Sequence, residues 1–455
     1  MNSVTMTLHR YVAVVAVLIA LIMTVLDVTV VNVALPVLAD KFNVSDSYTV
    51  WIVTIYQLVI TMLLLPVSSF GDLYSYKRNF LAGVIIFTAG SAMCAASQSF
   101  GMIVAARAFQ GVGAAFVMSV TVALIRMIYP RKMLGRGLAL NAMVVAISTA
   151  AGPTLAGALL SVASWHWLFL INVPIGVVAF FIGKKYLPEN RKTEQKPKYD
   201  WLSALANMFV FGLIFYALGS FSHQANAVYG LIMLAAGFII GIFYVRRQLS
   251  HKKPMLPVDL LKSRLYALSI LTSTCSFMAQ NIAMISLPFL FLNSFGFSEI
   301  STGLLMTPWP LATMIISPIA ARIVEKHNAG VTASCGMLIY AVGLLLLIFT
   351  SPGHASEWDI AWRMAVCGIG FGFFQTPNNI VMISATPIER SGGAGGMQST
   401  ARLTGQTLGA TIVTIVFAFA GTSAVTTCLA IGIGFALVAG TFSISRIKAT
   451  STLNR

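Results

Sequence analysis

The feature that most constrains this chain is a series of fourteen apolar stretches that are long enough to cross a membrane. A spanning helix needs about 20 consecutive apolar residues. Of the 455 residues, 58% are hydrophobic and only 9% are charged, whereas an ordinary soluble domain is about 25% charged. The loops between stretches are short, so no soluble domain fits, and nucleic-acid binding is excluded as a main role. The apolar runs are too continuous for alternating outer-membrane strands. We therefore expect an all-α polytopic membrane protein whose spans cover residues 11–36, 48–70, 80–97, 101–123, 137–161, 167–183, 201–221, 227–245, 266–292, 301–321, 331–350, 360–383, 395–419 and 423–445.

The lysines and arginines are distributed unevenly between the two sides of these spans. If the N-terminus lies in the cytoplasm, 25 of the 29 cations fall in inner loops and tails, and the outer loops hold Lys41 alone. Cytoplasmic loops carry an excess of Lys and Arg, so the pattern predicts a multi-pass membrane protein with both termini cytoplasmic. The basic loops need no partner beyond anionic lipid headgroups. The other three cations, Arg107, Arg363 and Arg402, lie within spans.

An internal repeat relates the first six spans to the last six. Two proline pairs recur at a separation of 252 residues, and an arginine followed by glycines recurs at 256. Chance recurrence is the alternative, but three ordered matches favour a repeat, which is common in secondary transporters with a binding site between the halves. The predicted domains are an N-terminal six-helix half (1–187), an inserted helix pair with cytoplasmic linkers (188–264) and a C-terminal six-helix half (265–455). The recurring pairs are Pro36 and Pro288, Pro66 and Pro318, and Arg107 and Arg363.

Asp27 is the only acidic residue within any predicted span. A charged side chain at the centre of a spanning helix costs roughly 2.5–3.5 kcal/mol on insertion scales. Because burial disfavours the charged form, this carboxyl could take up a proton near neutral pH. Asp27 is thus a candidate proton carrier that could also face a cationic substrate, and the alternative is a structural ion pair with Arg107 of the fourth span.

Two further motifs lie at helix ends or inside spans. Asp72, in the turn after the second span, precedes Lys77 and Arg78, which could latch two helices or simply extend to the lipid headgroups. In the fifth span, Gly152-Pro153 interrupts the helix, since proline removes a backbone donor. This kink could be a hinge or a packing device.

The motifs together resemble a known family. Asp27 in the frame Leu-Asp-x-Thr-Val-Val-Asn-Val-Ala-Leu-Pro, the Asp72 turn, the Arg107 motif, the Gly152-Pro153 kink and the segment Trp165–Gly176 occur in order. They are similar to the major facilitator superfamily, and specifically to its fourteen-helix drug/proton antiporters of the quaternary-ammonium and viologen exporter type. The resemblance implies the major facilitator fold, with two six-helix halves and two inserted helices.

The resemblance also implies roles for individual residues. Proton-driven multidrug efflux of lipophilic, cationic compounds by alternating access would use Asp27 and Arg107 for coupling. Asp72 would belong to the cytoplasmic gate. Since Leu73 and Tyr76 stand where the family usually has arginine, that gate would rely on Lys77 and Arg78. The antiporter motif would comprise Gly152, Pro153 and Gly157.

The substrate cavity is predicted from polar and aromatic residues on spans that should face it. Each could instead form a helix–helix hydrogen bond. The candidates are Trp51, Tyr56, Gln57, Asn141, Gln280, Asn281, Trp309, Gln375, Asn378, Asn379, Arg402 and Gln406.

Other classes of protein are less well supported by the sequence. No P-loop for ATP is present, the histidines show no metal-ligand spacing, and neither an enzyme nor a cofactor is indicated. We expect a monomer that binds small drug-like molecules, protons and lipid. The alternative is a proton-coupled transporter of a specific metabolite, such as an amino acid or an organic anion held by Arg107, Arg363 or Arg402. A membrane sensor without transport is a third class, against which the repeat argues.

Overall fold

The structure is a computed structural model, described here for residues 8–130, 133–189, 199–220, 227–251, 254–350, 356–386 and 391–451. Within these ranges the chain is built of helices and loops, and no strand occurs. Arg131, Lys132 and residues 190–198 of the cytoplasmic linker at the start of the predicted insert lie outside the described residues. The protein is all-α and polytopic, as the sequence predicts.

Fourteen long helices correspond one to one with the predicted spans. Thirteen of them, in the part of the chain that the structure describes, are long and apolar enough to cross a membrane. The remaining one, α12, has the length but carries Gln375, Asn378 and Asn379. The helices are α1 (Leu8–Phe42), α2 (Asp46–Leu73), α3 (Tyr76–Ala95), α4 (Phe100–Ile128), α5 (Leu134–Val162), α6 (Trp167–Tyr186), α7 (Trp201–Ser220), α8 (Ala227–Ser250), α9 (Arg264–Phe289), α10 (Glu299–Val324), α11 (Ala329–Ile348), α12 (Glu357–Ser384), α13 (Ser391–Phe419) and α14 (Ala424–Ser451).

The first helix extends beyond its predicted end. The sequence predicts that Pro36 closes the span, but α1 continues through it to Phe42. A proline inside a helix removes one hydrogen-bond donor and crowds the carbonyl four residues earlier, but the neighbouring Leu35 and Leu38 are fully buried. Packing therefore carries the helix past Pro36, and Asp27 lies nearer the middle of α1 than the shorter span implied. In α9, the corresponding Pro288 is followed by a π-helical turn at Leu290–Ser294.

The helices form two six-helix halves, α1–α6 and α9–α14, and the inserted pair α7 and α8. The most extensive contacts between the halves are those of α1 with α9, α2 with α13 and α5 with α10. We call the end of the bundle that carries Lys77, Arg78, Arg126 and Lys184 the basic end, and the other the opposite end.

The arginine–glycine motifs of the two halves pack in the same way. A Cβ atom added at Gly113 of α4 would clash with the backbone of Phe87 on α3. One added at Gly370 of α12 would clash with the backbone of Tyr340 on α11. In both halves a glycine therefore allows two helices to approach closely, which supports the repeat relation between these motifs.

The inserted pair lies against the contact between α2 and α13. Helix α7 packs on both of these helices, and α8 packs on α7. Asn207 Nδ2 of α7 donates to the carbonyl of Met62 at 2.8 Å, and the Tyr199 hydroxyl donates to the carbonyl of Pro66 at 3.0 Å. These bonds attach the insert to the N-terminal half.

Candidate functional site

The predicted acid and arginine meet inside the N-terminal half. Arg107 Nη1 of α4 donates to Asp27 Oδ2 of α1, and both side chains are completely enclosed. A buried ion pair is stable only when its remaining polar atoms are also hydrogen-bonded. The surroundings of Asp27 and Arg107 meet that requirement in large part.

Two amides complete the shell around Asp27. Gln110 Nε2 donates to Asp27 Oδ1 at 2.8 Å and to the Ser91 hydroxyl at 2.8 Å, while its Oε1 accepts from Arg107 Nη1 at 2.6 Å. Asn172 Nδ2 of α6 donates to Asp27 Oδ1 at 3.2 Å. Sequence reasoning missed both amides as site residues. Gln110 could have been found from its position one turn after Arg107 on the same helix face.

The guanidinium of Arg107 connects the pair to α2. Its Nε donates to the carbonyl of Ile52 at 3.1 Å, and its Cζ lies 4.0 Å from the centroid of the Tyr56 ring. Cations are attracted to the face of an aromatic ring at such distances. Tyr56, predicted to line the cavity, is instead fully buried over Arg107. The network thus joins α1, α2, α3, α4 and α6.

A separate cavity of about 210 Å³ lies between the two halves, in the half of the bundle toward the basic end. Four predicted cavity residues line it, namely Asn141, Gln375, Asn379 and Arg402. The N-terminal half contributes a mainly apolar wall, and the C-terminal half contributes most of the polar groups. The other lining residues are Leu21, Leu64, Met118, Thr121, Val122, Val145, Phe277, Gln398 and Ser399.

Three other predicted cavity residues form a polar contact between the halves. Asn281 Nδ2 of α9 donates to Gln57 Oε1 of α2 at 3.3 Å and to the backbone carbonyl of Gln406 of α13 at 2.6 Å. Nearby, the Thr61 and Thr407 hydroxyl oxygens are 3.2 Å apart. These residues lie outside the cavity lining and link three helices across the interface.

The remaining predicted cavity residues do not line it. Trp51 packs against Gly219 of the inserted helix α7. Trp309 is fully buried with its ring centroid 5.3 Å from that of Tyr340. Asn378 accepts a hydrogen bond from Arg446 at 2.7 Å. Gln280 is partly buried on α9, outside the lining.

The predicted gate has a different arrangement from the expected one. The Tyr76 hydroxyl donates to Asp72 Oδ1 at 2.7 Å. Among the described residues, neither Lys77 nor Arg78 lies within ion-pair distance of Asp72. The short turn explains this, because Ser75 caps α3 by accepting from the Arg78 backbone at 3.3 Å, and Tyr76 follows it directly. The residue that replaces the usual arginine therefore supplies the contact to Asp72.

The predicted antiporter motif makes contacts on both sides of α5. A Cβ atom at Gly152 would clash with Thr29 of α1, two residues after Asp27. A Cβ atom at Gly157 would clash with the backbone carbonyl of Glu299 on α10. The hydroxyl oxygens of Thr154 and Thr307 are 2.5 Å apart across the same contact. The motif thus allows α5 to pack closely against α1 of its own half and against α10 of the other half.

The fold and the site define a class of protein. A polytopic helical protein with two related halves, a cavity between them and an ionisable pair buried in one half is a secondary transporter. It is not an enzyme. No group of three or more His, Cys, Asp and Glu side chains that could hold a metal ion occurs in the described ranges.

The chain belongs to the Major Facilitator Superfamily, whose family description matches residues 17–410 and 268–452. It is 46% identical over 407 residues to the uncharacterized transporter YebQ of Escherichia coli, covering 90% of this chain and 89% of that protein. It is 30% identical over 401 residues to the multidrug resistance protein Stp of Mycobacterium tuberculosis, covering 88% of this chain and 74% of that protein.

A solved structure shares the fold. A bacterial homologue of the human lysosomal transporter Spinster, in an inward-facing and unoccupied conformation, superposes with a TM-score of 0.67 at 14% identity, over 97% of this chain and 98% of that one. At this identity the likeness concerns the fold alone.

Proposed function

We propose that this transporter is a proton-coupled multidrug efflux antiporter that exports lipophilic compounds by alternating access, of the fourteen-helix drug/proton antiporter type. The observation that carries the proposal is the enclosed Asp27–Arg107 pair with its amide shell. A carboxyl that is rare, buried and connected to several helices is suited to carry a proton. A relative named as a multidrug resistance protein supports the efflux function.

Protonation of Asp27 would act through its hydrogen-bond partners. Neutral Asp27 loses its Coulombic attraction to Arg107, whose charge persists at any accessible pH. Arg107 also holds the Ile52 carbonyl of α2, and Gln110 holds Ser91 of α3. A change at one carboxyl therefore alters contacts among five helices of the N-terminal half, which is the half that would have to move relative to the other.

The inner bacterial membrane is the proposed location, with the basic end in the cytoplasm. At the opposite end the halves touch through α5 with α10 and through Ser47, whose hydroxyl donates to the Thr414 carbonyl at 2.8 Å. The cavity lies toward the basic end. An exporter loads from the cytoplasm, so this arrangement suits the loading state. The domain limits 1–187, 188–264 and 265–455, a monomeric state and the gate at Asp72 are part of the same proposal.

The substrate has two candidate classes, lipophilic cations and organic anions. The family resemblance implies lipophilic cations, but the lining contains Arg402 and no carboxylate. A cation about 8 Å from Arg402 at an effective dielectric constant of about 20 would be disfavoured by about 2 kcal/mol. The second candidate, transport of a specific organic anion, is favoured by this one observation.

The test of proton coupling uses Asp27→Asn in proteoliposomes. An outward-directed proton gradient should drive wild-type accumulation of ethidium or of an anionic naphthalene dye, with alkalinisation of the lumen. Asp27→Asn should lose gradient-driven accumulation because its side chain cannot exchange a proton. Dye exchange without a gradient should persist.

The matched control is Asp359→Asn, which removes the acid that pairs with Arg363 at 2.7 Å within α12. It should keep gradient-driven accumulation if it folds as the wild type does. Accumulation by Asp27→Asn at the wild-type rate would refute the coupling role.

A further inference from the structure

The three arginines within the predicted spans have different surroundings. Arg107 pairs with Asp27. Arg363 pairs with Asp359 at 2.7 Å, and its Nη1 donates to the backbone carbonyl of Leu346. Arg402 has no carboxylate within ion-pair distance among the described residues, and its buried Nε has no hydrogen-bond partner there. Two of the three charges are therefore neutralised by the protein and one is not.

An unpaired guanidinium inside a membrane protein is costly, and it stays charged because its affinity for the proton is so high. Arg402 lines the cavity between the halves. It presents donors in a planar fork that fits carboxylate, sulfonate or phosphate oxygens. The missing partner of Arg402 is thus supplied most simply by a bound anion.

The other wall residues suit the remainder of such a molecule. Facing α13, the N-terminal half contributes Leu21, Leu64, Met118 and Val145. Apolar side chains with a few placed polar groups are the usual lining of small-molecule sites, and methionine adapts to varied shapes. The cavity is therefore amphipathic, with one apolar wall and one wall that carries a positive charge.

The polar wall leaves the guanidinium of Arg402 available. Gln398, one turn before Arg402 on α13, donates through Nε2 to Asn379 Oδ1 at 2.6 Å. The oxygen of Asn379 is therefore already engaged by an amide. On the facing α5, the Oδ1 of Asn141 is buried and has no partner in the described structure, so a donor on the substrate could be accepted there.

We propose that Arg402 is the residue that binds substrate by charge, and that the transported compounds are amphipathic organic anions whose acidic group lies on Arg402 and whose apolar body lies on the wall of the N-terminal half. This inference names the substrate class of the exporter and rests on that proposed function.

The test measures equilibrium binding of two probes with the same ring and opposite charge. They are 2-naphthalenesulfonate and (2-naphthyl)trimethylammonium, titrated calorimetrically into the purified full-length protein in lipid nanodiscs. Wild-type protein should bind the sulfonate more tightly. Arg402→Gln should weaken sulfonate binding by about tenfold, the loss expected for one charge-assisted contact, and should improve ammonium binding. Arg402→Lys should keep part of the sulfonate preference because it keeps the charge.

The matched control is Arg363→Gln, which removes a membrane arginine that is absent from the cavity lining and should leave the binding ratio unchanged. The proposal is overturned if wild-type protein shows no preference for the sulfonate, including binding of neither probe, or if Arg402→Gln and the wild type have the same ratio. Binding is measured without a proton gradient. Loss of gradient-driven transport in the liposome assay would therefore refute the proposed function and leave the binding result in place. Loss of the sulfonate preference would refute the role of Arg402 and leave the proposed proton coupling in place.

Discussion

Gln110 contacts both members of the buried ion pair. Its amide nitrogen donates to Asp27 and its oxygen accepts from Arg107. Through these two hydrogen bonds Gln110 holds the carboxylate and the guanidinium in their mutual orientation, and it is absent from the cavity lining. Its role is that of a positioning residue.

Replacement of Gln110 by leucine tests this role. Gln110→Leu keeps the approximate volume and removes both hydrogen bonds, so we expect slower gradient-driven transport and a displaced pH profile. The measurement is the transport rate in proteoliposomes between pH 5.5 and 8.5. Ser91→Ala removes only the outer contact of Gln110 and should remain close to the wild type. A Gln110→Leu profile that superposes on that of the wild type would show that the amide serves packing alone.

At the level of single residues, the sequence predicts the charged members of the site better than the uncharged ones. Asp27 and Arg107 stand out because ionised side chains within spans are rare, and the structure brings them together. Gln110 and Asn172 do not stand out, since amides occur throughout spanning helices as ordinary hydrogen-bond partners. The gate prediction placed Lys77 and Arg78 on Asp72, whereas the local turn brings Tyr76 to it.

At the scale of helices, the contact between α5 and α10 is a close-packed interface between the halves. Gly157 lies against the carbonyl of Glu299, and Gly303 of α10 lies against the carbonyl of Pro153. Each glycine approaches the backbone of the other helix. Helices α5 and α10 can therefore pack this closely only while these positions lack a side chain.

Gly157→Ala should hinder closure of the opposite end. The added methyl group meets a backbone carbonyl, which cannot move aside as a side chain could. We expect transport to fall by more than about tenfold, which corresponds to about 1.4 kcal/mol. A cysteine at Thr307 should also react faster with a membrane-impermeant thiol reagent. Gly101→Ala on α4, where a Cβ atom meets nothing within 4 Å, is the matched control. Unchanged transport and labelling in Gly157→Ala would mean that α5 and α10 adjust freely.

Asp200, just before α7, joins the two inserted helices at the basic end by pairing with Arg247 of α8. Burial alone would raise its pKa, but hydrogen bonds from Ser203 and Arg247, together with the Arg247 charge, lower the pKa of Asp200 from 3.8 to about 2. Arg247 Nη2 lies 2.9 Å from Asp200 Oδ1, and His251 Nε2 lies 3.1 Å from Oδ2. The folded state therefore favours the ionised carboxylate.

This lowered pKa predicts an acid dependence of stability. The contribution of Asp200 is fully present above about pH 4 and is lost as the pH falls toward 2, because the unfolded chain then binds a proton that the folded chain does not. Asp200→Asn should lower the melting temperature by about 2 °C at pH 7, and the difference from the wild type should shrink between pH 4 and pH 3. The measurement is thermal unfolding in detergent. If the melting temperatures of Asp200→Asn and the wild type differ equally at pH 4 and pH 3, ionisation of Asp200 is not the source of the difference.

At the scale of the whole molecule, the two halves pack their helices alike but carry different ionisable side chains at corresponding positions. Gly113 and Gly370 pack alike in the two halves. Ala279 stands 252 residues after Asp27, so Arg363 has no acid on α9 and pairs within its own helix instead. Among the residues that the structure describes, a fully buried acid–arginine pair that links two helices therefore occurs in the N-terminal half alone.

The sequence predicts the helices and their halves but not the contacts between halves. Span positions follow from apolar length, and the repeat follows from proline and arginine spacing. Which polar residues face the cavity depends on helix rotation and on the inserted pair. Trp51 illustrates the difficulty, because α7 covers it. Asn281 likewise donates a hydrogen bond to Gln57 across the interface. Of the predicted set, Asn141, Gln375, Asn379 and Arg402 line the cavity.

Relative motion of the two halves can be tested by cross-links at two of the contacts between them. The hydroxyl oxygens of Thr61 and Thr407 are 3.2 Å apart, and those of Thr154 and Thr307 are 2.5 Å apart, so paired cysteines at either site have their sulfur atoms close to bonding distance. Oxidation of either pair should stop transport, and a reductant should restore it, because alternating access requires both contacts to open. Ser334→Cys with Gly440→Cys links α11 to α14 inside one half and should leave transport intact when oxidised. Continued transport with an interhalf pair fully cross-linked would exclude rigid rocking of the halves about the cavity.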